Sequence, residues 1–257
     1  LPQRIGEYEV LECVGQGGTG VVYRARHVTL RRIVALKVLH GGALRAGAEA
    51  LARLQHPHLV QLFEVGEHDD GTGAPRPYLV REFVDGDSLA ARLAGGPLSP
   101  RQAAGWLEPL ARGIHHAHEH GWVHGDLKPS HVLLNRDGRP KVCDLGVARR
   151  QEASADFGPA ADIHALGALL DTLLTGAPGT LDRVRPQVPR DLETICRKCL
   201  EKEPHRRYAT ALALADDLRR FRAGEPIAAR PPGPLGRALA WVRRQTRQHP
   251  PGRGSDP

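Results

Sequence analysis

The first third of the chain alternates short apolar runs with turn residues, and this pattern is typical of β-strands. Five such runs, rich in β-branched and aromatic residues, predict strands over residues 8–14, 21–27, 32–39, 59–66 and 78–84. An Ala-rich stretch over 41–54, between the third and fourth runs, predicts a helix, although Gly47 lowers the helix propensity there. The predicted order is therefore three strands, one helix and two strands.

After residue 87 the apolar positions recur at the spacing of helices. Ser99 and Pro100 are typical of a helix start, with Ser as the cap and Pro at the first helical position, and Gly121 is the expected stop. Other elements are predicted as helices over 160–175, 191–201 and 210–223 and as short strands over 132–134 and 141–143.

These elements divide the chain into a small β-rich lobe over 7–85, a larger helical lobe over 86–228 and a tail over 229–257. The chain has 257 residues, 40% of them apolar, which is enough for two lobes with separate cores. The tail is rich in Pro, Gly and Arg, a composition typical of a segment that leaves a folded domain.

The formal net charge is +7, and the excess of arginine is densest in the tail. Leu235, Leu239 and Val242 form an apolar stripe at helical spacing in this tail. Such a helix could lie near a membrane surface or pack on the larger lobe, and the sequence does not distinguish the two. A plain solvated tail is the third alternative. Nucleic acid is not an expected partner, because neither a reading helix nor interleaved aromatic residues accompany the arginines.

Four cysteines and no secretory signal are typical of a reducing, intracellular compartment. No apolar run is long enough for a membrane-spanning helix. The expected location is the cytoplasm, either as a soluble protein or as the cytoplasmic part of a membrane-anchored one. Because the chain begins at Leu1 and contains no Met, we expect it to be a piece of a longer protein.

Two segments in the first lobe carry candidate phosphate-binding chemistry. Residues 15–22 read Gly-Gln-Gly-Gly-Thr-Gly-Val-Val between two predicted strands. A dinucleotide-binding glycine motif needs a helix after it, so this loop is expected to join a hairpin, where glycines let backbone amides close over phosphates. Lys37 ends the apolar strand segment Val-Ala-Leu-Lys, and a lysine there needs an anionic partner such as nucleotide phosphate.

Two more segments lie in the second lobe: His-Gly-Asp-Leu-Lys-Pro-Ser-His over 124–131 and Asp-Leu-Gly over 144–146. In this order and at these spacings, the four segments resemble the signature set of protein kinases. The likeness continues through Gly-Pro-Ala-Ala-Asp at 158–162 and Glu-Pro-His-Arg-Arg at 203–207. The Lys-Pro pair after Asp126 resembles the Ser/Thr class, so the chain is identified as a member of the bacterial, eukaryotic-like Ser/Thr kinases.

The resemblance implies a two-lobed α+β kinase fold, ATP with Mg²⁺ or Mn²⁺ as cofactors, and a protein substrate of unknown identity. It implies that Asp126 accepts the proton of a substrate hydroxyl, that Lys128 steadies the transferred γ-phosphoryl group, and that Asp144 ligates the metal. His131 occupies the position of the second metal ligand, and Asp162 is implied to bind the backbone of the catalytic loop. The residues implied to bind ATP are Gly15, Gln16, Gly17, Gly18, Gly20, Val22, Ala35, Lys37, Glu82 and Val84.

Three positions around the implied nucleotide site depart from the family pattern. The glutamate that should pair with Lys37 falls at Gly47, and Glu49 lies about 200° around a helix from it. Asn is expected at His131, and imidazole is a poor ligand for Mg²⁺. Arg81 stands where the family usually has an apolar side chain, and we expect it to reach Asp144 or a phosphate.

The segment between the Asp-Leu-Gly motif and Asp162 is also unusual. It contains only residues 147–161 and no Ala-Pro-Glu motif, with Glu152 as the nearest substitute. Gly125 replaces the arginine that would bind a phosphorylated activation loop, so control by phosphorylation of this loop is not expected. These losses leave two functions open: an impaired but active Ser/Thr kinase, and a pseudokinase that acts as a nucleotide-sensing or docking module.

Two motifs typical of metal sites lack the usual context. His116, Glu119 and His120 match the zinc-peptidase pattern H-x-x-E-H, but the kinase resemblance assigns them to the helix before the catalytic loop. Cys196 and Cys199 form a C-x-x-C without a second pair, which favours two core thiols over a metal site.

Overall fold

The computed structural model describes residues 3–40, 51–69, 75–145, 158–181 and 188–230. The predictions for Gly47, Glu49, Glu152 and the tail after Arg230 lie outside these residues. The described strands are β1 (Arg4–Ile5), β2 (Tyr8–Gly17), β3 (Gly20–His27), β4 (Ile33–Leu39), β5 (Leu62–His68), β6 (Arg76–Glu82), β7 (Val132–Leu134) and β8 (Pro140–Val142). The described α-helices are α1 (Leu89–Leu93), α2 (Pro100–Glu119), α3 (Pro159–Thr175), α4 (Arg190–Cys199) and α5 (Ala211–Ala223). This order confirms the predicted strands and the predicted helices of the large lobe, while the predicted helix over 41–54 lies mostly outside the described residues.

The small lobe is a six-stranded antiparallel sheet in the order β1-β2-β3-β4-β6-β5. Alternate residues of a strand point to opposite faces, so one face of this sheet can form a core while the other faces a cleft. Ala25, Val34, Leu36 and Val80 are all buried and belong to the hydrophobic cluster of this lobe. The residues between them along β4 point the other way, which is the face that carries the candidate site.

Helix α2 lies at the centre of the large lobe. Ser99 caps it by accepting a hydrogen bond from the amide of Gln102, and it ends before Gly121, whose φ of 78° suits glycine. Its apolar face packs mainly against α3 and α5. Cys196 and Cys199 are fully buried in this core, which confirms them as core thiols. None of the described helices is long and apolar enough to cross a membrane.

The two lobes meet where the segment before β5 contacts strand β8. The amide of Val60 donates to the carbonyl of Val142 and the amide of Val142 donates to the carbonyl of His58, both at 2.8 Å. The predicted strand over 59–66 is therefore wrong at its start: Leu59 bridges to Val142, and pairing with the small-lobe sheet begins at Leu62. The expected two-lobed α+β architecture is confirmed.

Candidate active site

Four candidate residues lie on one face of the small-lobe sheet because of its register. Val22 pairs with Lys37 across β3 and β4, and Ala35 pairs with Arg81 across β4 and β6. Directly opposed residues project from the same face, and Ala35 and Lys37 are two apart on one strand. The face opposite the small-lobe core therefore carries Val22, Ala35, Lys37 and Arg81.

The glycine segment forms the expected hairpin, in which Gly17 pairs with Gly20. Gly20 has a φ of 157°, and an added Cβ there would lie 2.2 Å from the carbonyl oxygen of Val38, so only glycine fits. At Gly15, Gly17 and Gly18 an added Cβ would meet nothing within 4 Å. No other part of the described structure packs against the tip of this hairpin at these glycines, so space is left there for a ligand.

Asp144 forms ion pairs with two cationic side chains in the cleft. The Nζ of Lys37 lies 3.1 Å from both carboxylate oxygens of Asp144, and Arg81 Nη1 also bonds one of these oxygens. Burial alone would raise the pKa of Asp144, but the Arg81 and Lys37 charges outweigh it and hold this pKa below its usual range. The expectation that Arg81 reaches Asp144 is confirmed. Asp144 has a φ of 61°, a left-handed conformation that aspartate tolerates better than most residues.

The catalytic-loop residues lie beside this cluster. Lys128 Nζ donates to Asp126 Oδ2 at 2.7 Å, and this hydrogen bond lowers the pKa of Asp126, whose side chain is 66% exposed. His131 Nδ1 donates to the carbonyl of Asp126 at 2.8 Å, while its Nε2 lies 3.6 Å from Asp144 Oδ2. A carbonyl can only accept, so a neutral His131 has its lone pair on Nε2, directed at the Asp144 side of the site.

Asp162, at the start of α3, fixes the backbone of this loop. Its side chain is 1% exposed and accepts hydrogen bonds from the amides of His124 and Gly125, both at 2.8 Å. His118 Nε2 contacts the same carboxylate at 2.8 Å. Gly125 has a φ of 74°, which glycine adopts without strain. The role that the family resemblance implied for Asp162 is therefore visible in its contacts.

His124 links the catalytic loop to the segment before Asp144. Its Nε2 donates to the carbonyl of Cys143 at 3.0 Å and its Nδ1 accepts from the amide of Asp126 at 3.2 Å. Burial lowers the pKa of His124, which favours the neutral ring that this bonding pattern requires. Cys143 is the neighbour of Asp144, and burial raises the pKa of its thiol to about 12, so it is not a reactive thiolate.

The segment between the lobes begins at Glu82, whose carboxylate is paired with a lysine of the large lobe. Its carboxylate accepts from Lys141 Nζ at 2.7 and 2.8 Å, and its amide donates to the carbonyl of Gln61 at 2.8 Å. Val84, two residues on, is buried. This segment is therefore tied by an ion pair to strand β8 of the large lobe.

The fold, the glycine hairpin and the Lys37–Asp144 contact together point to a nucleotide-dependent phosphotransferase family. A family model described as "Protein kinase domain" matches residues 8–161, which is more than half of the chain. The chain belongs to the protein kinase family. This match covers the glycine hairpin, Lys37, the catalytic loop and Asp144 of the kinase domain.

Curated relatives of the kinase domain carry related names. Serine/threonine-protein kinase PknB of Mycolicibacterium smegmatis is 30% identical over 278 residues, with 87% of this chain and 44% of the relative covered. Serine/threonine-protein kinase PrkC of Bacillus subtilis is 31% identical over 265 residues, with 83% of this chain and 40% of the relative covered. The chain thus spans less than half the length of these relatives.

The structure links five of the predicted site residues by direct contacts, namely Lys37, Asp126, Lys128, His131 and Asp144, but sequence reasoning missed three partners. They are His118 at Asp162, His124 between two loops, and Lys141 at Glu82. His118 lies inside the stretch that matches the zinc motif. Its position six residues before His124, at the end of the helix that leads into the catalytic loop, was the sequence feature that indicated a contact with this loop. No group of three or more His, Cys, Asp or Glu side chains suited to a metal occurs among the described residues.

Proposed function

We propose that this chain is the catalytic domain of a Ser/Thr protein kinase that transfers the γ-phosphoryl group of ATP to a protein hydroxyl. One observation carries the proposal: a continuous series of contacts joins the transfer residues. Lys37 Nζ is 3.1 Å from Asp144, His131 Nε2 is 3.6 Å from Asp144, and Lys128 Nζ is 2.7 Å from Asp126. Since phosphoryl transfer depends mainly on positioning and charge stabilisation, an assembled set of these groups supports catalysis.

Each group has a distinct task in this proposal. The backbone of the glycine hairpin covers the phosphates, Lys37 binds the α- and β-phosphates, and Val22 and Ala35 contact the base from the same sheet face. The segment from Glu82 to Val84 binds adenine through its backbone. Asp126 accepts the proton of the substrate hydroxyl, and Lys128 steadies the γ-phosphoryl group as it moves.

The residues that would hold a divalent metal are Asp144 and His131. When bound, the metal would neutralise phosphate charge. Two protein ligands are enough for a site completed by phosphate oxygens and water. Metal-binding histidines characteristically donate their other N–H to a carbonyl, as His131 does to Asp126. Imidazole suits softer divalent ions than Mg²⁺, so this pair favours Mn²⁺.

The His131 position gives a prediction about metal preference. The wild type is expected to bind ATP more tightly, and to turn over faster, with Mn²⁺ than with Mg²⁺. A loss of about 3 kcal/mol of charge stabilisation in Mg²⁺ would slow transfer about 10²-fold. His131→Asn should shift the preference toward Mg²⁺, and Asp144→Asn should abolish the metal dependence. Titration calorimetry and transfer rates in each metal measure this, and equal behaviour of wild type and His131→Asn in both metals would exclude His131 from the metal site.

Transfer of labelled phosphate from [γ-³²P]ATP to casein or a basic protein tests the proposed activity directly. Thermal unfolding with and without ATP and Mn²⁺ tests nucleotide binding in parallel. We expect both a rise in melting temperature and label on the acceptor. A rise without label would favour a nucleotide-binding pseudokinase, and neither effect would favour a docking module.

A specific observation favours the pseudokinase as the second candidate. Both carboxylate oxygens of Asp144 are already bonded by the side chains of Lys37 and Arg81. A metal must therefore compete with two cations for its ligand, which slows any reaction that depends on it. Nucleotide binding needs less of this rearrangement than phosphoryl transfer does.

A further inference from the structure

Two cations and one carboxylate are packed together at the inner end of the cleft. The side chains of Lys37, Arg81 and Asp144 are 5%, 10% and 16% exposed. Among the residues that the structure describes, no second carboxylate contacts Lys37 or Arg81. The three side chains therefore carry an excess of one positive charge in a nearly dry environment, where an unbalanced charge is unfavourable.

The position of Arg81 on the sheet fixes its direction. It pairs with Ala35 on one side and with Leu62 on the other, so it projects from the same face as Lys37. Its Nη1 bonds Asp144, while its Nε is buried and has no hydrogen-bond partner. A buried guanidinium with an unused donor is unusual and indicates that the group is incompletely satisfied in this state.

An anion that enters the cleft at Lys37 would balance this excess. The guanidinium is always charged and its donors fit phosphate oxygens. In a site where a helix carboxylate neutralises the lysine, a divalent ion has to supply most of the charge that holds the polyphosphate. Among the residues that the structure places here, two fixed cations share one carboxylate, so the protein itself would supply charge that the ion otherwise provides.

We propose that Arg81 is a fixed cation for the nucleotide phosphates, which allows this site to bind ATP without a divalent metal. This inference rests on the proposed nucleotide site and adds a binding residue to it. When ATP enters, Arg81 and Lys37 turn part of their bonding from Asp144 to the phosphate oxygens. Asp144 is then free to take a metal, which adds less to nucleotide affinity than it would with an apolar residue at position 81.

The test compares ATP affinity in EDTA and in Mn²⁺ for the wild type and for Arg81→Met, which keeps a similar length without the charge. We expect wild-type affinity in EDTA to lie within about tenfold of that in Mn²⁺. In EDTA the Arg81→Met variant should bind ATP about tenfold to hundredfold more weakly than the wild type, the range for loss of a hydrogen bond to a charged group. In Mn²⁺ the loss of ATP affinity should be clearly smaller. Arg26→Met is the matched control, since it removes a charge that pairs with Glu9 on the same sheet.

Several results would overturn the inference. A wild-type affinity that falls more than about hundredfold in EDTA would do so without any variant. An equal loss for Arg81→Met in both conditions, or a gain in EDTA, would show that Arg81 is structural or obstructs the site. A wild type that binds no ATP even with Mn²⁺ would instead refute the proposed function. Circular dichroism of each variant without nucleotide verifies that it is folded.

Discussion

Asp126→Asn is expected to lower the rate of phosphoryl transfer about 10²- to 10⁴-fold, the range for loss of a general base, and to leave ATP affinity unchanged. An amide has nearly the shape of the carboxylate but cannot accept a proton. The side chain is two-thirds exposed toward the cleft, and its polar contacts are to Lys128 and His131, so its replacement leaves no buried donor unsatisfied. Initial rates with saturating ATP and a protein acceptor measure the loss.

Asp137→Asn is a suitable control for this substitution. Asp137 lies in the turn between β7 and β8, where its amide bonds Asn135 and its side chain is solvent-exposed. The same chemical change there should leave the rate at the wild-type value. If Asp126→Asn transfers phosphate as fast as the control, Asp126 is not the base. If it loses ATP affinity in proportion to rate, its role is in binding.

The order of elements was predictable because most of it depends on local signals. Alternating apolar residues, the Ser99–Pro100 helix start and the Gly121 stop act within a few residues of where they stand. The start of β5 was not predictable in this way. The carbonyl of His58 and the amide of Val60 bond to Val142, some eighty positions later in the chain, and no local pattern encodes that pairing.

The site was predictable to the extent that its residues fall in motifs. The segments around Lys37, Asp126 and Asp144 have spacings that a single sequence reveals. The contact between Arg81 and Asp144 could not be singled out from the sequence, because it depends on how the lobes meet. The Lys141–Glu82 ion pair was missed for the same reason, since its partners lie in different lobes.

Asp162→Ala is expected to unfold at lower denaturant concentration, with a loss of at least about 3 kcal/mol in the free energy of unfolding. The carboxylate is almost fully buried and has three partners: the amides of His124 and Gly125 and the ring of His118. Each buried donor left without an acceptor costs about 1–3 kcal/mol, and whole domains are stable by only about 5–15 kcal/mol.

The same substitution should also abolish phosphoryl transfer under conditions where the variant is still folded. The amides that Asp162 binds belong to the two residues directly before Asp126, so their release lets the catalytic loop move. Asp216→Ala is the control, because Asp216 is part-exposed and its ion pair within the described part of the chain is with Arg112, an interaction of about 0–1 kcal/mol. Urea unfolding followed by circular dichroism, together with transfer rates at low denaturant, gives both quantities. Equal midpoints for the two variants would mean that water or a neighbouring group satisfies the donors at Asp162, and that the loop does not depend on this carboxylate.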